Sequence, residues 1–224
     1  MCGRFAQRKP IQDILERFNI LDPEEVLFEP RYNIAPTQYS PVVIIENDQR
    51  ILRLMKWGLV PFWSKDSKTG YKMINARSEG IETKPSFKNP LKKRRCLVIT
   101  DGFYEWHRID KKNKVPYFTT LKDHKPFAFA GMWDRWEKGD EPLETFTIIT
   151  TGANKLMETI HNRMPVILHE KDESRWLDPE LQDYAKIKPL LKPFPSKEMD
   201  MHQVSKIVNS PKNDVPECVV PINN

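Results

Sequence analysis

CLVITDGFYEW (96–106), YFTTL (117–121), FAFAGMW (127–133) and TFTIIT (145–150) follow one another closely. All four are rich in β-branched and aromatic residues, the composition that suits a pleated, half-buried surface. The polar stretches RIDKKNK (108–114), KDHKP (122–126) and EKGDEP (137–142) separate them and read as turns. Four strands in series, without intervening helices, predict an antiparallel arrangement. Upstream, Pro41–Ile45 and Ile51–Leu59 predict two more strands joined through ENDQ (46–49). RYNIAPTQYSP (31–41) reads as irregular and proline-punctuated, and 61–73 as a polar and aromatic loop. Ile11, Ile14, Leu15 and Phe18 recur at helical spacing and predict a short helix over 10–18. Ala153, Leu156, Met157 and Ile160 predict another over 153–161, ended by Pro165; a strand at 166–168 and short helices near 172–177 and 187–191 complete the pattern. The expected fold is α+β: one domain over 1–224, built on a mostly antiparallel, barrel-like β-sheet with a few flanking helices. No βαβα alternation is present, which excludes a doubly wound or TIM-type sheet.

Composition narrows the classes. The chain has 224 residues, 39% hydrophobic and 30% charged, which is too apolar for a disordered tail and long enough for a core without staples. No apolar run reaches the length of a membrane span, and MCGRFAQRKP has no signal segment, so the expectation is a cytoplasmic protein. Cys2, Cys96 and Cys218 are widely spaced, with no CxxC pair, and the five histidines have no ligand spacing. Neither metal nor cofactor is expected. A net charge of +5 permits a nucleic-acid partner without demanding one.

Five local patterns can carry chemistry. Removal of Met1 would leave Cys2 with a free α-amine and a thiol on adjacent carbons, titrating near ~8 and ~8.5 when unperturbed. Such a 1,2-aminothiol condenses with an aldehyde to a Schiff base, and the thiol then closes a thiazolidine; it also suits the nucleophile of an N-terminal hydrolase. Position alone favours a cysteine that merely sits second. INARSEG (74–80) places Asn75 and Arg77 on one side of an extended chain; a solvated loop gives the same pattern. In TDGFYEWHRI (100–109), Glu105 shares a face with Phe103 and His107, and its aromatic neighbours would raise its pKa; a solvent-facing Glu remains the alternative. His161, in TIHNRMPVIL (159–168), is either a proton shuttle or a capping or core histidine, and Thr150 with Thr151 either cap a helix or face a ligand. Lys88, Lys92, Lys93, Arg94 and Arg95, with Arg4, Arg77 and the lysines of 65–72, outline a phosphate track beside the stacking faces of Phe62 and Trp63, or simply a solvated charged surface.

Together these patterns form an ordered series: MCGRF (1–5), RYNIAPTQ (31–38), KWGLVPFW (56–63), INARSE (74–79), DGFYEW (101–106), TTGAN (150–154) and HNRMP (161–165), with HQVSKIVNSPKND (202–214) near the end. The series closely resembles the SRAP family, the SOS-response-associated peptidase or abasic-site processing proteins. The resemblance implies that Cys2, after loss of Met1, crosslinks to the aldehyde of an abasic site in single-stranded DNA. It implies that Asn75 positions the adduct, Glu105 acts as acid and base, and His161 handles protons at the sugar hydroxyl, with abasic-site lyase activity and crosslink reversal as related outcomes. Arg4 and Arg77 would hold phosphates, Trp63 would stack near the DNA bend and Thr150 would line the pocket. The expected partner is single-stranded DNA with abasic sites, met by a monomer with no membrane partner. Two rival readings remain: a thiol peptidase with Cys2 as nucleophile, and a non-enzymatic single-strand binder.

Overall fold

In the computed structural model, residues 2–20 and 29–222 are described; the expected removal of Met1 concerns a residue outside them. The strands are β1 (Phe5–Gln7), β2 (Arg31–Ile34), β3 (Tyr39–Glu46), β4 (Gln49–Trp57), β5 (Asn75–Arg77), β6 (Arg95–Thr100), β7 (Gly102–Arg108), β8 (Lys114–Leu121), β9 (Phe127–Trp136), β10 (Leu143–Gly152), β11 (Arg163–Pro165), β12 (Ile167–Leu168) and β13 (Met199–Gln203). The helices are α1 (Ile11–Phe18), α2 (Pro85–Lys93), α3 (Glu170–Leu177) and α4 (Tyr184–Ile187).

The expected α+β class and barrel-like sheet are present. Strands β10, β4, β3, β6 and β9 pair in that order, and β9 pairs back onto β10, so the sheet closes on itself. Closure removes the exposed edges that an open sheet would leave. The contacts of β10 with β4 and β5 are parallel, and the other strand pairs are antiparallel. A second sheet, β13-β8-β7-β1-β2, lies alongside.

Alternation divides each barrel strand between two cores. Val42, Trp57, Cys96, Val98, Phe129 and Phe146 point into the lumen, where Trp57 stacks on Phe146 with ring centroids 6.3 Å apart. Val43, Leu52, Leu97, Ile99, Ala130 and Ile149 point outward and are covered by Ile14 and Phe18 of α1, Leu91 of α2 and Trp176 of α3. Each fully buried side chain of this size contributes roughly 1.5–3 kcal/mol of transfer free energy. Residues 95–100 are therefore buried on both faces.

Four expectations need correction. The run 96–106 is two strands in different sheets, broken at Asp101. The Thr100 hydroxyl lies within hydrogen-bond reach of Ala6 O and Gly102 O and accepts the Gly102 N–H, while the buried Asp101 carboxylate accepts Nε and the backbone N–H of Arg8. The local Thr100–Gly102 bonds compete with the ladder, and the long-range ties to Ala6 and Arg8 fix the turn of the chain. Residues 31–41 are not irregular: β2 and the start of β3 lie there, with the Asp214 carboxylate accepting the Tyr32 and Asn33 N–H groups from far along the chain. The helix over 153–161 shrinks to a single turn, Met157–Thr159, because β10 continues to Gly152 and Asn154 Oδ1 takes the Leu156 and Met157 N–H groups. The basic run 88–96 is α2 followed by β6, and two of its cations are structural. Arg94 pairs with buried Asp134, and Arg95 donates to the carbonyls of Leu91, Lys92, Trp176 and Asp178.

The turn into β7 brings Gly102 against the Phe118 ring, so a Cβ at this position would overlap the ring. Phe118 is fully buried and packs on Tyr104 at 4.7 Å, leaving it no room to give way. Gly102→Ala should therefore destabilise the protein by about 1–3 kcal/mol. The check is a lowered midpoint of urea unfolding.

Candidate functional site

The site forms where the N-terminal strand meets the barrel. Strand β1 pairs antiparallel with β7 at Phe5–Phe103 and Ala6–Gly102, and Tyr104 N–H donates to Arg4 O at 3.0 Å. This pairing lays Cys2 into the lumen core beside Glu105. From the barrel side, β5 runs parallel to β10 with Asn75 level with Ile148, and Asn75 Nδ2 donates to Cys2 O at 2.7 Å. Beyond β10, the chain turns back through His161, whose Nδ1 lies 3.3 Å from Glu105 Oε1. Cys2, Asn75, Glu105 and His161, drawn from four separated motifs, thus share one site.

Burial sets its electrostatics. Cys2 is 1% exposed; burial, reinforced by the neighbouring Glu105 carboxylate, pushes its thiol up to about 12. The thiol is therefore protonated at neutral pH and needs a base when it reacts. Burial likewise pushes the Glu105 carboxyl up to about 7, where it is both a competent acid and a competent base. Partial burial lowers His161, favouring the neutral ring. His161 Nδ1 faces the Arg163 N–H at 3.0 Å, the Arg163 carbonyl at 3.2 Å and the Glu105 carboxyl. One ring nitrogen thus meets a donor, an acceptor and a titrating acid, so moving a proton requires little reorganisation. Among the described residues, Asn75 Oδ1 is buried without a hydrogen-bond partner, leaving an acceptor at the site.

The remaining candidates are placed differently. Arg77 is exposed on β5, level with Thr150 of β10. Thr150 is fully buried, and both its carbonyl and its hydroxyl meet Arg163 Nη2, so it supports the wall beneath the surface. Arg4 is half-buried, and its Nη1 donates inward to Asn33 Oδ1 at 2.7 Å and Val208 O at 2.9 Å. Phe62 and Trp63 are about half exposed; Phe62 lines a separate cavity with Lys93, Arg94 and Asp134, whose lining includes none of the four central residues.

Two contributors were not singled out from the sequence. Arg163 grips the Glu79 carboxylate with both terminal nitrogens, at 2.6 and 3.0 Å, while its backbone N–H faces His161. Asn33 is fully buried and ties Arg4 to the carbonyls of Val208, Ser210 and Asn213. Both sit inside quoted motifs, HNRMP and RYNIAPTQ, but their bonds reach across 84 and about 180 positions of chain, which no local pattern reveals.

The family profile described as SOS response associated peptidase (SRAP) matches residues 1–211. The chain belongs to the SRAP family. Within it, this SRAP protein is 47% identical to the abasic site processing protein YoqW of Bacillus subtilis (strain 168), over 98% of this chain and 99% of that protein. It is 38% identical to the abasic site processing protein HMCES of Gallus gallus, over 87% of this chain and 67% of that one. A crystal structure of a protein from Bacteroides thetaiotaomicron, 32% identical, superposes with a TM-score of 0.88 over 99% of this chain and all of that one. No described helix of this SRAP protein is long and apolar enough to cross a membrane.

The raised Glu105 carboxyl has a consequence for stability. The unfolded chain titrates this group near 4.5 and the folded protein near 7, so between these values the folded state holds the proton more firmly. Stability therefore falls as pH rises through that window and levels off above it. Glu105→Gln removes the dependence: its stability advantage over wild type should be present at pH 8 and shrink towards pH 4.5 in paired denaturant titrations.

Proposed function

We propose that this protein captures abasic sites in single-stranded DNA as a covalent adduct on Cys2, once Met1 has been removed. The observation that carries the reading is a buried carboxyl, Glu105, titrating near neutrality beside a protonated Cys2 thiol at the chain's N-terminus. The opened abasic sugar presents an aldehyde, the electrophile that a 1,2-aminothiol takes. The names of the relatives, abasic site processing proteins, support the same substrate.

The chemistry follows from the protonation states. The Cys2 α-amine adds to the aldehyde carbon, and loss of one water gives the imine. The Cys2 sulfur then adds to the imine carbon, its proton passes to the ring nitrogen by way of Glu105, and a thiazolidine closes. The net change is loss of one water. Asn75 holds the Cys2 carbonyl and offers Oδ1 to the amine or its adduct. His161, neutral and in contact with Glu105, suits proton transfer at the sugar hydroxyl during ring opening and in the reverse direction. The same imine acidifies the adjacent sugar carbon, so β-elimination, an abasic-site lyase step, uses the same groups. Arg77 and Trp63, both exposed, serve the strand as phosphate contact and stacking face.

The test is a denaturing gel of Met1-free protein with a strand holding one abasic site. Wild type should give a shifted band, whereas Cys2→Ala and a form that retains Met1 should give none. Glu105→Gln should form the band about 10²-fold more slowly, the usual scale for loss of a general acid–base. A shifted band with Cys2→Ala, or none with wild type on intact abasic DNA, would overturn the reading.

A further inference from the structure

Arg4 follows Cys2 closely and reads from the sequence as a phosphate contact. In the structure two of its three nitrogens are turned into the protein. Nη1 is committed to Asn33 and Val208, Nε is buried, and the guanidinium lies 5.7 Å over the Trp106 ring. Arg4 is thus part of a wall. The C-terminal stretch 205–214 completes that wall: Asn33 Nδ2 faces the carbonyls of Val208, Ser210 and Asn213, and Trp106 Nε1 donates to Asn209 Oδ1 at 2.8 Å.

On the outer side of this wall is a cavity of about 460 Å³ lined by Gly3, Arg4, Trp106, Lys112, Lys114 and Lys206, together with two asparagines and no carboxylate. A neighbouring cavity of about 600 Å³ contains Glu105 and His161 and shares Trp106 and Lys114 with the first. The two therefore form one path from the reacting groups, past the Trp106 ring, to three lysines. Lys112 lies in the β7–β8 turn, Lys114 opens β8 and Lys206 belongs to the C-terminal stretch, so elements far apart in sequence put like charges around one space. Such repulsion is relieved by an anion.

We infer that this lysine pocket is a second strand-binding subsite, which holds the backbone phosphates of the nucleotides on one side of the lesion. The inference rests on the proposed reaction with single-stranded DNA. Phosphate is the fitting ligand because three lysine ammonium groups, with the edge of Arg4 and no carboxylate in the lining, surround a space that an anion would neutralise. Trp106, which lines both cavities, offers its ring to a base. Arg77 and Trp63 lie on or next to the barrel, and the lysines belong to the second sheet and its C-terminal clasp. The lesion thus sits at the seam, with one flank of the strand for each side.

The experiment uses Lys112→Ala/Lys206→Ala in the full chain; Lys114 is left in place because it acts on Glu105. Affinity for an undamaged single strand is measured against salt concentration. Each phosphate contact contributes about 0.7 to the log–log slope, so the double variant should flatten it by about 1.4. Lys171→Ala/Lys192→Ala, whose residues line a different cavity, removes equal charge and should leave the slope near wild type. Strands with the abasic site at the 5′ end or at the 3′ end then give the side: the pocket variant should weaken binding of only one. An unchanged slope, equal flattening in the control, or equal weakening of both strands would overturn the inference. Because binding is read without the covalent step, a flattened slope with no shifted band would retain the pocket and reject the covalent reading. A shifted band with an unchanged slope would do the reverse.

Discussion

Two residue pairs, Phe5 with Phe103 and Ala6 with Gly102, hold the N-terminal strand on β7, and the rest of the site depends on them. Chain termini ordinarily fray, because few bonds oppose their conformational entropy. Here Phe5 is buried against Trp57, 5.1 Å away, and Phe129, 6.0 Å away, so leaving β7 would expose an aromatic ring from the lumen core. Arg4 adds its bonds to Asn33 and Val208, and Arg8 its pair with Asp101. Cys2 is consequently held at a fixed distance from Glu105 although it is the second residue of the chain. A reactive group at a terminus has a steric advantage, since its amine is accessible once the preceding residue is gone. The cost is mobility, and the β1–β7 pairing removes it.

The same burial that anchors Cys2 sets the acid–base balance of the site. In water, Glu105 would be ionised and His161 partly protonated at neutral pH, a pair joined by charge and reluctant to exchange protons. Removed from solvent, the carboxyl rises and the imidazole falls, so the two proton affinities approach each other. Folding bears an energetic penalty for holding Glu105 ionised in this setting, and the closed barrel, with its doubly covered strands, is what offsets it. Arg163 works at the boundary: its guanidinium holds Glu79 and Thr150 while its backbone fixes the His161 ring. Removal of apolar surface from water and the tuning of the acid–base pair are thus one structural fact seen at two scales.

Much of this was legible in the sequence. The strands at 117–121, 127–133 and 145–150 show themselves by composition, and α1 by its 3.6-residue period. The alternation of Phe103, Glu105 and His107 against Tyr104 and Trp106 already separates lumen from outer face. Cys2, Asn75, Glu105 and His161 were marked by residue type and by the order of their motifs. What failed did so where a distant partner decides. Asp101 reads as a mid-strand residue until Arg8 is opposite it. The basic run 88–96 reads as a phosphate track or a solvated surface; Lys88, Lys92 and Lys93 are exposed, but Asp134 and the Trp176 carbonyl take Arg94 and Arg95.

The sequence by itself determined the β-rich class, the helical face of α1 and the chemical nature of the candidate groups, because propensity, period and side-chain type are local properties. Only the tertiary structure decided which strands close the barrel, which arginines are spent inside it, and that an N-terminal thiol would meet a half-protonated carboxyl and a neutral imidazole. Those outcomes depend on burial and on contacts between residues tens to hundreds of positions apart, and neither is a property of any single stretch of chain.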